Sequence, residues 1–145
     1  MKIAFACDHG GLELKNSLIQ YLSQQGYEIE DFGTYTKDSC DYPDFAHKAA
    51  QAVQDGVCQR GIVVCTTGIG VSMVANRHKG VRCALCSNAD QAELTRKHNN
   101  ANMIAFGQRY ITFDMAKLMV DVFLKTEFEG GRHVRRVEKI EVNND

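Results

Sequence analysis

Gly61-Ile-Val-Val-Cys65-Thr-Thr-Gly-Ile-Gly70 passes from an unbroken apolar run into a glycine turn, and then into a short helical stretch reaching about Asn76. An apolar run that ends in such a turn and hands over to a helix is the pattern of a strand buried on both faces of a parallel sheet. The same handover recurs on either side. Upstream, Lys2-Ile-Ala-Phe-Ala-Cys7 leads through Gly10-Gly11 to Leu12, Leu14, Leu18, Ile19 and Leu22 at helical spacing, stopped at Gly26. Glu28 to Phe32 alternates like a strand, and Asp41-Tyr42-Pro43 opens a helix with Phe45, Ala46, Ala49, Ala50 and Val53 on one face. Downstream, Val81 to Cys86 is followed by a helix over Ala89 to His98, and Met103 to Phe106 by a longer one from about Thr112 to Lys125. The tail holds Gly130-Gly131, a basic cluster and a last segment from Val137 to Val142.

Strand and helix thus alternate through the whole chain. The alternation predicts one domain over residues 1–145, a three-layer α/β/α sandwich around a Rossmann-type five-stranded parallel sheet. Right-handed crossovers put the C-terminal ends of all strands on one edge. That edge should carry Asp8-His9, the loop after Phe32, Cys65 to Gly70, Ser87-Asn88 and Gly107 to Arg109. In the common strand order the first and third strands are neighbours, so Asp8 and His9 should meet Cys65, and Cys7 should lie beside it.

Composition narrows the function classes. A chain of 145 residues, 44% hydrophobic and 24% charged, can bury one ordinary core. The formal net charge of -1 offers no general attraction to nucleic acid or anionic membranes, so any bound anion needs a local cluster. No apolar stretch approaches the roughly 20 residues that span a bilayer. The opening Met1 to Cys7, running into Asp8 and His9, does not read as a signal peptide. Six cysteines are therefore expected as reduced thiols of a cytoplasmic protein. Cys83-x-x-Cys86 lies inside an apolar run without a second ligand pair and reads as core, so no metal and no cofactor is expected.

Several groups can carry chemistry. Cys65 closes an apolar strand at a turn and helix start, where free amides and the helix dipole favour a thiolate and could hold an oxyanion beside it. The turn is not a dinucleotide loop, because Met73 stands where the third glycine would fall, and it lacks the lysine of a P-loop. Asp8-His9 adds a carboxylate and an imidazole from the first strand. His98-Asn99-Asn100 closes the fourth helix, where asparagine also serves as a simple C-cap. Arg132 and Arg136 share one face of a helical turn and suit a phosphate dianion, with Arg109 as a third cation. His47, His78, Cys40 and Cys58 show no converging partners in sequence.

Cys7-Asp-His-Gly-Gly11, Asp41-Tyr-Pro43, Cys65-Thr-Thr-Gly-Ile-Gly70, His98-Asn99, Ala105-Phe-Gly107 and Gly130-Gly-Arg-His133 with Arg136 together resemble type B ribose-5-phosphate isomerase. The wider family includes galactose-6-phosphate isomerase subunits, and the resemblance covers nearly the whole chain. It implies an aldose–ketose isomerase of the pentose phosphate pathway that interconverts ribose 5-phosphate and ribulose 5-phosphate without a cofactor. It implies homodimers, sometimes paired into tetramers, with active sites built by two subunits.

By the same resemblance Cys65 moves the proton through an enediolate, and His98, assisted by Asp8, opens the furanose ring. The amides of Thr66, Thr67, Gly68, Ile69 and Gly70 stabilise the enediolate oxygen, and Asn99 binds the sugar. His9, Arg132 and Arg136 hold the phosphate, with Arg109 reaching in from the partner. Thr66 departs from the family, which usually has glycine there; if that position needs φ > 0, a β-branched residue is strained. Allose or galactose 6-phosphate is the alternative substrate, and a non-catalytic phosphosugar sensor the alternative class. The proximity expected of Cys7 and Cys65 also suggests a peroxide-driven disulfide, although no Cys-x-x-Cys opens a helix as in thiol redox proteins.

Overall fold

The computed structural model describes residues 1–142. Five strands, β1 (Lys2–Cys7), β2 (Glu28–Asp31), β3 (Arg60–Cys65), β4 (Cys83–Leu85) and β5 (Met103–Gly107), alternate with helices. The helices are α1 (Leu12–Gln24), α2 (Tyr42–Gln54), α3 (Ile69–Ala75), α4 (Ala89–Asn99), α5 (Phe113–Lys125) and α6 (Arg132–Glu138). The sheet is parallel in every pairing, as expected, and its order is β2-β1-β3-β5-β4.

The common doubly wound order would place β4 next to β3. Here β5 takes that place, and the burial explains it. All five residues of β5 are buried, whereas β4 is three residues long and half-exposed, which suits a short edge strand. The expected strand over Val81 to Cys86 is shorter for the same reason: Val81 is held by a turn to His78 rather than by the sheet.

Alternation along the strands sorts the core into two layers. Ile3, Phe5, Cys7, Ile62, Val64, Ile104 and Phe106 face α1, α4 and α5, packing against Leu18, Leu22, Ala92, Met119 and Phe123. Ala4, Ala6, Val63, Cys65, Met103 and Ala105 face α2 and α3, meeting Ala46, Ala49, Ala50, Val71 and Ala75. Small residues on both sides of that second layer let α2 lie close to the sheet.

This sorting corrects one expectation. Cys7 pairs in register with Val64, so Cys7 and Cys65 point to opposite faces, each in its own core layer. A disulfide between them would require turning a central strand over. Burial also pushes the Cys7 thiol up to about 12, which keeps it unreactive. Cys83 and Cys86 likewise pack into different layers.

Candidate active site

The edge where the strands end carries the first group of residues. Cys65 is buried, and the amide of Gly68 donates to its Sγ at 3.0 Å. For that amide to point back at the sulfur the chain must reverse within three residues. Gly68 does this at φ +82, with so little room that a Cβ there would sit 2.6 Å from the Phe106 carbonyl carbon. Helix α3 begins immediately after this turn and is seven residues long. The amides of Gln108 and Arg109 bond to the carbonyls of Cys65 and Thr66, which fixes the turn over the end of β5.

Asp8 and His9 stand beside it, as expected from the β1–β3 pairing. The Asp8 carboxylate is buried, and its Oδ1 accepts from the Gly10 amide at 2.9 Å. His9 is exposed, and its Nδ1 accepts from the Cys40 amide at 3.3 Å. That bond makes Nε2 the protonated nitrogen of the neutral ring, a donor facing outward. Cys40, without an evident partner in the sequence, therefore has one: its Sγ lies 3.8 Å from the same Nδ1.

Thr66 is unstrained, because Asn100 is the one non-glycine residue with positive φ among the described residues. Its side chain instead uses the space of Gly10, where a Cβ would come within 2.1 Å of Thr66 Oγ1.

Lys15 was not singled out from sequence. It is fully buried, donating to Asp31 Oδ1 at 2.6 Å and to the Thr34 carbonyl at 2.8 Å. It pins the loop whose Gly33 and Thr34 bond both sides of Cys7, immediately before Asp8. The signal was available: position 15 falls three residues from both Leu12 and Leu18, on the apolar stripe of α1, where an unpaired lysine would not be tolerated.

The second group lies on the opposite edge, where the strands begin. Helix α4 leaves the end of β4 and runs back over 11 residues, roughly 16 Å, so that it finishes beside the start of β5. There Asn100 adopts a left-handed cap (φ 48, ψ 42), with its carbonyl held by Arg82 Nε at 3.0 Å and its Oδ1 by Arg96 at 3.0 Å. Arg96 is itself buried, and donates also to the carbonyls of Ala101 and Thr126.

His98, just inside this cap, stacks on His133 of α6 with ring centroids 4.5 Å apart. Glu129 reaches both imidazoles, one oxygen to each Nε2 at 3.9 Å. His98, Asn99, His133 and Arg136 line a cavity of about 340 Å³. Arg132 is exposed one turn before Arg136 on the same helix. Burial, and then His98, lower the affinity of His133 for a proton.

Asp8, His9 and Cys65 thus share the edge where the strands end, and His98 and Asn99 lie on the other. A six-residue strand such as β3 separates its two ends by roughly 17–20 Å, and Cys65 and His98 stand at opposite ends. Within one chain they do not meet. Arg109 stands, exposed, on the same edge as Cys65. His47 and His78 are not isolated either, with Nδ1 of one 2.7 Å from Nε2 of the other.

Comparison with known proteins gives this arrangement a family. The model of the Ribose/Galactose Isomerase family matches residues 3–140. The chain belongs to that family. It is 44% identical over 139 residues to ribose-5-phosphate isomerase B of Escherichia coli (strain K12), covering 96% of this chain and 93% of that one. The solved structure of Clostridium thermocellum ribose-5-phosphate isomerase B is 50% identical with a TM-score of 0.95, covering 97% of this chain and 95% of that one. Ribose-5-phosphate isomerase B from Mycoplasma genitalium, solved with bound ribulose-5-phosphate, is 42% identical with a TM-score of 0.92, covering 96% and 93% of the two chains. As a member of this family the chain has the expected α/β fold. No helix among the described residues is long and apolar enough to cross a membrane.

Proposed function

We propose that the chain is a ribose-5-phosphate isomerase in which Cys65 is the base and each active site is shared between two copies. The observation that carries this reading is the Gly68 amide 3.0 Å from Cys65 Sγ, with the Asp8 carboxylate at the neighbouring strand end. His98 delivers a proton to the ring oxygen while Asp8 receives that of the anomeric hydroxyl, which opens the furanose. Cys65 then takes the proton from C2. The negative charge that develops on O1 is stabilised by amides of the 66–70 turn, and one such donor contributes about 3–4 kcal/mol. The proton is then delivered to C1 while the O2 hydroxyl proton passes to O1, so that C2 becomes the carbonyl carbon of the ketose and O1 its new hydroxyl. His9, Arg109, Arg132 and Arg136 neutralise the phosphate, whose distance from the reacting carbons lets its binding energy fix their position.

Two copies are needed because the His98 edge and the Cys65 edge are far apart in one chain. A two-fold axis perpendicular to the strands sets the starting edge of one sheet against the finishing edge of the other. Ile69 and Met73 of α3, Leu85 of β4 and Leu94 of α4 leave large apolar side chains exposed around the edge strand, which supports contact there. The six unpaired thiols support a cytoplasmic setting.

The test is conversion of ribose 5-phosphate to ribulose 5-phosphate, with EDTA present, by the wild type, Cys65→Ala and His98→Asn. Robust wild-type turnover that collapses in Cys65→Ala supports the thiol base; turnover that survives there assigns the base elsewhere. Mixing the two inactive variants should restore about a quarter of wild-type activity, since half the dimers are mixed and each has one intact site. No recovery after subunit exchange would place Cys65 and His98 in sites that do not share a substrate. Absence of wild-type turnover would direct the reading to six-carbon phosphosugars.

A further inference from the structure

We propose that His98, Glu129 and His133 form a binding site for a borderline divalent ion, zinc above all, and that an ion bound there takes His98 away from the sugar. The consequence for catalysis rests on the function proposed above; the binding itself does not.

Among the described residues this is the one group of three potential metal donors, with all donor atoms within 4.8 Å of one another. Two imidazoles and one carboxylate are the donor set of open zinc sites, in which the fourth position is left to water or another ligand. Calcium and magnesium prefer oxygen cages, which are not present here. Zinc bonds of about 2.0–2.1 Å put tetrahedral ligands roughly 3.3 Å apart. Glu129 already stands 3.9 Å from each Nε2, one oxygen to each ring, and with all donors within 4.8 Å closing the site takes movements of up to about 1.5 Å.

The fold allows that movement where it is needed. The His133 side chain is 9% exposed and serves as the fixed ligand, while those of His98 and Glu129 are 40% and 51% exposed and can turn. His98 must rotate out of its near-parallel stack on His133 for both lone pairs to converge on one ion. The backbone keeps the three together: the Glu129 amide bonds to the Lys97 carbonyl next to His98, and the His133 amide bonds to Gly130.

The opposing influence is Arg132 and Arg136, whose charges act on His133. They weaken attraction for a dication, and they also attract an anion to the open fourth position. The site therefore suits an ion that gains its affinity from nitrogen donors rather than from charge alone.

The experiment is calorimetric titration of chelator-stripped, reduced full-length protein with zinc chloride, repeated with cobalt(II) followed by visible absorption. One ion per chain is expected, with a cobalt spectrum lacking a thiolate charge-transfer band. Glu129→Gln, an exposed substitution that leaves the core intact, and His133→Asn should each weaken binding by about tenfold or more. Unchanged affinity in both variants would overturn the site, as would a thiolate band showing that the cysteines hold the ion. Zinc should inhibit ribose 5-phosphate isomerisation, with EDTA reversing it and Glu129→Gln raising the zinc needed by the same factor. Should the protein prove not to isomerise that sugar, the calorimetric result still decides whether the site exists.

Discussion

Gly68→Ala should be among the most damaging single-methyl additions to this protein, and the structure says how much. Alanine at φ +82 pays about 1–2 kcal/mol for a left-handed backbone. Its Cβ would also lie 2.6 Å from the carbonyl carbon and 2.7 Å from the Cα of Phe106, on a fully buried strand that cannot retreat. Overpacking of that kind costs about 1–3 kcal/mol, which brings the total to about 2–5 kcal/mol. Gly56→Ala is the internal control: its φ of +75 is equally left-handed, but nothing lies within 4 Å of the added atom. Urea denaturation should therefore separate the two variants by about 1–3 kcal/mol at unchanged m-value. Turnover of Gly68→Ala should fall with it, by about 10²–10³ if the Gly68 amide leaves the reacting centre, whereas Gly56→Ala should keep its kcat. Equal stability of the two variants, within about 0.5 kcal/mol, would refute the claim that contact with β5 holds this turn in place.

Other consequences are open to direct measurement. His98→Asn should abolish turnover of ribose 5-phosphate but spare a tetrose 4-phosphate, whose esterified O4 cannot close a furanose; loss of both activities would mean that His98 does more than open rings. Arg96→Met should cost about 3 kcal/mol or more in urea denaturation, because it strands the carbonyls of Ala101 and Thr126 and Asn100 Oδ1 together. A loss within about 0.5 kcal/mol would show that water replaces the guanidinium freely. His78 is held below its usual pKa by burial first and by His47 next, so the folded protein takes up that proton less readily than the unfolded chain. Its contribution stands in full above the unfolded value of 6.5 and is lost as the pH falls through that range. The drop in urea midpoint between about pH 7.5 and about pH 5 should shrink in His78→Gln, and an unchanged drop would assign the acid sensitivity to other groups.

The parts of the fold that could be read from the chain were those decided locally. Strands β1, β3 and β5 announce themselves because burial on both faces demands unbroken apolar runs, and the Gly68 turn because its backbone leaves little choice of residue. The exchange of β4 and β5 in the sheet is different. It follows from how much apolar surface each strand offers to β3, a comparison between distant segments in which Arg82 and the exposed Leu85 weigh against β4. The partners of Lys15, Cys40 and the His47–His78 pair come from segments at least 16 positions away, and no spacing rule reaches that far.

The position of His98 was legible after all, by an argument that needs only the alternation of strands and helices. In such a chain every strand runs from the starting edge to the finishing edge, and every crossover helix runs back. A residue at the end of a strand and a residue at the end of a helix therefore stand on opposite edges, whatever the details of packing. Cys65 is the last residue of β3, and His98 is the penultimate residue of α4. If both act on one sugar, and no segment among the described residues carries either group across, they must come from two copies of the chain. On the proposed function a monomeric variant should therefore lose turnover, and one that retained it would contradict the sharing of the site between two copies.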